Sequence, residues 1–161
     1  MNPRIILKPH WQSCYVTTDI ERAEKHFGQR YGIPNWLRMY DLPLTTLDDE
    51  PFGLHLSQAL VGDTCLELIQ PFSGADQLFR HGLPEGAGFT MRLHHHGMLI
   101  HDEAEWQNLE ETVAEENFRP VWRTSRPEVR VLFIDTYAEL GHYIEYLYYF
   151  DKATIEHIPR N

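Results

Sequence analysis

The sequence predicts an α+β fold built from two tandem βαβββ modules. Two observations carry this. The order strand, helix, strand, strand, strand can be read twice, over residues 1–71 and 91–150, on either side of a Gly- and Pro-rich linker, 72–90. Each module also closes on an apolar strand holding a lone carboxylate, Glu67 within Cys65-Leu66-Glu67-Leu68-Ile69 and Glu145 within Tyr143-Ile144-Glu145-Tyr146-Leu147. A charge inside a covered strand is costly unless something compensates it. Two such charges in matching places suggest one shared compensator, and a bound cation is the most economical. An earlier strand in each module carries a polar residue, Gln12 lying 55 residues before Glu67 and His96 lying 49 before Glu145.

The elements follow in order. Trp11 to Thr17 is β-branched and aromatic, a strand. Thr18-Asp19-Ile20-Glu21 fits a capping box, and Ile20, Ala23, Phe27 and Tyr31 follow as one helical stripe that Gly32 and Pro34 end. Asn35 to Tyr40 reads as a strand and Leu42 to Pro51 as a polar loop. Phe52 to Ser57 and Leu60 to Gln70 form a hairpin around Gly62-Asp63. The linker holds one helical turn at Ala75 to Arg80. In the second module Met91 to Ile100 is a strand, and Asp102, with Glu105 three residues on, caps a helix striped by Trp106, Leu109 and Val113. Phe118 to Arg123, Glu128 to Ile134 and His142 to Phe150 are its remaining strands. The tail, 151–161, is polar and reads as peripheral.

Bulk properties narrow the function. A net charge of -10 argues against nucleic acid and anionic membranes as partners. No apolar stretch is long enough to span a bilayer, and the N-terminus has no signal-peptide core. Cys14 and Cys65 are the two cysteines and no CxxC occurs, so neither a disulfide framework nor a cysteine zinc site is expected. A reducing cytoplasm is the default location.

Four stretches carry a resemblance: Gln12-Ser13-Cys14-Tyr15-Val16-Thr17-Thr18-Asp19, Leu66-Glu67-Leu68-Ile69-Gln70-Pro71, His95-His96-Gly97-Met98-Leu99-Ile100-His101-Asp102 and Gly141-His142-Tyr143-Ile144-Glu145-Tyr146. In that order they resemble the vicinal oxygen chelate superfamily, which includes glyoxalase I, methylmalonyl-CoA epimerase, extradiol dioxygenases and bleomycin-resistance proteins. The resemblance implies a curved, cup-shaped mixed sheet with helices outside, and a metal between the modules held by Gln12, Glu67, His96 and Glu145. That ligand set resembles zinc-using glyoxalase I. It implies zinc, nickel, cobalt or manganese, with iron disfavoured. The implied chemistry is lyase or isomerase: Glu145 or Glu67 removes a proton α to a carbonyl of a small oxygenated metabolite, and the cation stabilises an enediolate. A homodimer is implied, with the modules pairing within a chain or between chains.

Each residue has alternatives. His10 lies two residues before Gln12 on the same face and competes as first ligand, although the seven-residue spacing to Asp19 favours Gln12. Within the triple His94-His95-His96, alternation places His94 and His96 on one face, and the six-residue spacing to Asp102 that the resemblance implies selects His96; His94 becomes a second pocket residue or a core histidine, and His95 faces the helices. Cys14, Tyr143 and the linker's Arg80 are further candidates for contacting substrate. Glyoxalase I carries an arginine for glutathione four residues after its first ligand; here Val16 stands there. A methylmalonyl-CoA-epimerase-like reaction, a non-catalytic small-molecule binder and an iron-dependent extradiol dioxygenase are the alternatives.

Overall fold

The computed structural model describes residues 6–86 and 88–161. Residues 1–5 of the first predicted module and Ala87 of the linker lie outside them. The first half runs β1 (Gln12–Thr17), α1 (Ile20–Tyr31), β2 (Leu37–Thr45), β3 (Pro51–Val61) and β4 (Thr64–Gly74). A short α2 (Gln77–Arg80) follows. The second half runs β5 (Met91–Leu99), α3 (Glu103–Glu115), β6 (Pro120–Ser125), β7 (Val129–Ile134), a turn of helix α4 (Tyr137–Leu140) and β8 (Tyr143–Tyr149). A last turn of helix, α5, spans Ala153–Glu156. No helix among the described residues is long and apolar enough to cross a membrane.

All eight strands form one curled sheet, ordered β2-β3-β4-β1-β5-β8-β7-β6. In each half the first strand pairs in parallel with the last, β1 with β4 and β5 with β8, and the others are antiparallel. The halves join where β1 runs antiparallel to β5, Gln12 opposite Gly97 and Cys14 opposite His95. Strand alternation then sorts the side chains. Val16, Ile69, Phe133 and Leu147 face inward onto one shared core that Phe79 of α2 enters. Ile20 and Ala23 of α1 cover Ala59 and Leu68 on the outer face of the first half. Trp106, Leu109 and Val113 of α3 cover Leu132, Ile134, Ile144 and Tyr146 on the second.

The caps follow the aspartates. Asp19 and Asp102 accept the amides of Arg22 and Glu105 at 3.0 and 2.8 Å. Thr18 does not cap α1, because its hydroxyl donates to the carbonyl of Gly88 instead. The expected loop at Leu42 to Pro51 shortens to five residues. A register shift between Met39 and Leu42, with Asp41 left-handed at φ 55°, lets β2 continue to Thr45. Pro43 is tolerated there because β2 is an edge strand. The other edge is β6, and side chains bridge the two: Trp122 Nε1 donates to the carbonyl of Thr45 and Arg126 Nη2 to that of Pro43, both at 2.8 Å.

The tail is not peripheral. It returns from the second half and lies along β3 of the first. The amide of Leu60 donates to the carbonyl of Pro159 at 2.8 Å, and that of Asn161 donates to the carbonyl of Leu60 at 3.0 Å. The Asn161 side chain makes two further bonds with the Asn35 backbone. Ile158 is buried against Leu60 and Cys65. The tail is polar on average, but this one apolar residue and its backbone decide its position. Ile158→Ala is expected to cost about 2–5 kcal/mol of stability, read as a lower urea midpoint with an unchanged slope.

Candidate functional site

β1, β4, β5 and β8 are central and adjacent, so their inward residues converge. Gln12, Glu67, His95 and Glu145 meet there, all buried. Gln12 Nε2 donates to Glu145 Oε2 at 2.7 Å and to Glu67 Oε1 at 3.2 Å. His95 Nε2 lies 3.2 Å from Glu145 Oε2 and 3.5 Å from Glu67 Oε1. The amide of Gln58 on β3 donates to the second oxygen of Glu67 at 2.8 Å. Cys14 adds a buried thiol, its sulfur within 4.8 Å of donor atoms of both Glu67 and His95.

Glu24 shows how this protein buries a carboxylate with its own means. It accepts from the Arg38 guanidinium at 2.7 Å, from the Tyr40 hydroxyl at 2.9 Å and from the Ser57 hydroxyl. Among the described residues no lysine or arginine pairs with Glu67 or Glu145; two amides and one imidazole serve both. The amide oxygen of Gln12 is buried with no hydrogen-bond partner among the described residues. Donors about 2.1 Å from one ion stand roughly 3–4 Å apart, close to the spacing here. The two carboxylates carry the charge that a divalent ion would cancel, and the imidazole, once an ion takes the place of its proton, and the amide would add neutral donors. The donor set therefore fits a divalent cation held by Gln12, Glu67, His95 and Glu145.

No protein-family model and no curated protein matches the sequence. Solved structures do. Methylmalonyl-CoA epimerase from Mycobacterium tuberculosis aligns at 13% identity over 94% of this chain and 98% of its own, with a TM-score of 0.56. A Streptomyces coelicolor methylmalonyl-CoA epimerase variant in complex with 2-nitronate-propionyl-CoA aligns at 12% identity over 89% and 96%, with a TM-score of 0.60. A hypothetical protein from Bacillus halodurans aligns at 13% over 89% and 95%, also at 0.60. The chain has the vicinal oxygen chelate fold. At these identities the likeness is one of architecture.

Within that fold the expected residues divide. Gln12, Glu67 and Glu145 come together, all from one chain. His96 does not join them. It turns to the outer face, where it stacks on His10 at 4.2 Å, lies edge-on to His142 at 4.6 Å, and shares a 3.1 Å hydrogen bond with Ser13. His10 is exposed there, apart from Gln12, Glu67 and Glu145. Arg80 is tied to Asp76 by bonds of 2.7 and 2.8 Å and stays at the surface. Tyr143 is buried, its hydroxyl engaged by His81 at 2.5 Å.

A β-bulge makes the exchange of histidines. Cys14 opposes His95 but Tyr15 opposes Leu93, so His94 is an extra residue in β5. Alternation is interrupted, and both His94 and His95 become fully buried. His95 was recoverable from the sequence: it precedes the cap Asp102 by seven residues, as Gln12 precedes Asp19. Gln58 was recoverable too, because a two-residue turn at Gly62-Asp63 sets it opposite Glu67.

His94 orients His95. Its Nε2 meets the carbonyl of Leu78 at 2.8 Å, which only accepts, so that nitrogen carries the proton. His94 Nδ1 is then the acceptor for His95 Nδ1–H at 2.9 Å, and His95 Nε2 is left for the centre. Burial, reinforced by His95, lowers the His94 pKa to about 3, keeping it neutral. Burial also opposes charge on His95, but Glu145 and Glu67 outweigh it and raise that pKa to about 9. Glu145 is raised, by burial and by Glu67, against the pull of His95. Burial first, then Glu67 and Glu145, pushes the Cys14 thiol well up.

The His95 shift sets a pH window. A folded value above the ordinary 6.5 contributes stability that is fully present below 6.5 and lost as pH rises through about 9. Metal-free protein is expected to lose stability across that range relative to His95→Gln, read as a converging pair of urea midpoints. Gly97, opposite Gln12, gives the site its room. A Cβ there would stand 2.8 Å from Gln12 Cβ, 2.9 Å from Leu147 Cδ1 and 3.1 Å from Glu145 Oε2. Gly97→Ala is expected to cost about 1–3 kcal/mol and to weaken divalent-ion binding, checked by denaturation and by competition with a chelator.

Proposed function

We propose that the protein is a divalent-cation-dependent isomerase that moves a proton on the carbon α to a carbonyl, an epimerase-type reaction. The observation that carries the reading is the pair of buried carboxylates, Glu67 and Glu145, meeting the His95 imidazole and the amide group of Gln12, whose oxygen has no hydrogen-bond partner among the described residues, beside a cavity of about 220 Å³. The fold neighbours named as methylmalonyl-CoA epimerases support an isomerase over a lyase. Val16, buried in the inner core, offers no cationic partner to a glutathione carboxylate, which weakens a glyoxalase I reading.

Gln12, Glu67, His95 and Glu145 would hold the ion, which when bound acts as a Lewis acid on substrate oxygen. The chain does the rest. The two carboxylates come from corresponding strands, β4 and β8, and so approach from the two sides of the seam between the halves. A carboxylate oxygen of Glu145 would accept the α proton on one face, a Glu67 carboxyl that has taken a proton from water would deliver one on the other, and Glu145 would then release its proton to water. Gln58 holds the outer oxygen of Glu67, leaving Glu67 Oε1 toward the centre. The Tyr149 phenol in the cavity wall is kept neutral by burial, then by Cys65, Glu67 and Glu145, and can donate to a substrate oxygen.

Metal analysis and proton exchange test this reading. One zinc, nickel, cobalt or manganese ion per chain is expected in wild type and in His96→Ala, with loss in His95→Ala. The loaded protein is expected to exchange the C3 proton of acetoin with D₂O, and Glu145→Gln to lower that rate by about 10²-fold or more. Failure of wild type to take up any of these ions would overturn the proposal. An ion taken up without any exchange would indicate a binding protein instead.

A further inference from the structure

The cavity that reaches Glu67 and Glu145 is apolar almost everywhere else. Its floor is Gln58, Glu67 and Glu145. Its walls include Leu42 and Leu44 of β2, Leu54 and Leu56 of β3, and Val131 and Phe133 of β7. The one cation among its lining residues is Arg126, and that guanidinium already bonds the carbonyl of Pro43. Besides it the wall offers only the hydroxyls of Thr124, Tyr149 and Thr154, and the carboxylate of Glu128 disfavours a phosphate or a second carboxylate distant from the floor.

The cavity is also bounded. Thr154 and Ile158 of the returning tail line it. Hydrogen bonds on both sides of Leu60 and at Asn35 fix that tail. The bridges Trp122 to Thr45 and Arg126 to Pro43 draw the two sheet edges together. About 220 Å³ is the share of roughly seven waters, so the part of a substrate that it encloses is small.

We infer that the substrate is a short, uncharged, apolar molecule bearing two neighbouring oxygens at one end, with its length limited by Thr154 and Ile158. The inference rests on the proposed site for the two oxygens and adds the rest of the molecule. A polar acyl carrier such as the coenzyme A arm is a poor match, because its amides would be desolvated against leucines without partners. The epimerase fold thus serves here a different class of substrate from the thioester of its named neighbours.

Alkyl hydroxamates test this, since they present two neighbouring oxygens on a tail of chosen length. Affinity of the zinc-loaded protein is measured for acetyl, butanoyl, hexanoyl and decanoyl hydroxamates, with and without chelator. About a fourfold gain per methylene is expected from acetyl to hexanoyl, on the order of 10²-fold in total, with no further gain at decanoyl. Thr154→Leu is expected to lower the hexanoyl affinity several-fold while leaving acetyl binding unchanged. Ile158→Ala, if it folds, is expected to let decanoyl bind more tightly than hexanoyl. Chelator-sensitive binding of all four at equal affinity overturns the inference and leaves the proposed site standing. If no hydroxamate binds, the site reading fails. Hexan-1-ol added to metal-free protein then decides the cavity by itself: shifts of the Leu54 and Val131 methyl resonances sustain an apolar pocket, and unshifted methyls overturn it.

Discussion

Two carboxylates buried within reach of each other set the terms for everything around them. Both are largely withdrawn from bulk water, and each raises the cost of charge on the other. The surrounding residues answer that constraint. Gln12 and Gln58 turn amide hydrogens toward the oxygens, His95 turns a ring nitrogen, and Gly97 withholds a side chain. His94 is neutral because a second positive charge beside His95 would be buried as well. The arrangement costs stability in isolation, a cost that the proposed divalent ion between the donors would offset.

The seam between β1 and β5 brings those groups together. Each half supplies one first-strand donor and one last-strand carboxylate, and the strand pairings are equivalent: Cys14 opposes Glu67 as Gly97 opposes Glu145. The halves differ at that pair of positions, one holding a thiol and the other no side chain. The approximate twofold relation therefore gives a centre with two similar carboxylates but unlike flanks. A centre of that kind can treat the two faces of a flat intermediate differently while using the same functional group on each.

The sequence was informative where one strand or one helix decided the outcome. The Asp102 cap, the hairpin at Gly62-Asp63 and the lone carboxylates in apolar strands each rest on local chemistry, and all appear in the structure. It was less informative where two strands had to be compared. Alternation grouped His94 with His96 and the resemblance's spacing to Asp102 selected His96, whereas an extra residue in β5 beside Cys14 breaks that alternation and leaves His95 facing the centre. Pro43 looked like a loop residue because an edge strand cannot be told from a central one before the sheet order is known. The tail looked peripheral because average polarity hides one buried isoleucine and a backbone pairing with Leu60. Arg80 looked available to substrate, although the expected turn at Ala75 to Arg80 already sets Asp76 four residues before it as a partner.

The bulge in β5 bears on how robustly the centre is encoded. A strand shifted by one residue ordinarily turns every side chain to the wrong face. Here the segment at the seam is three histidines long. Whichever way β5 settles against β1 during folding, or drifts by insertion or deletion over generations, an imidazole still points inward. The repeated residue acts as insurance for a position that register alone protects poorly, and leaves the surplus ring outside, stacked on His10.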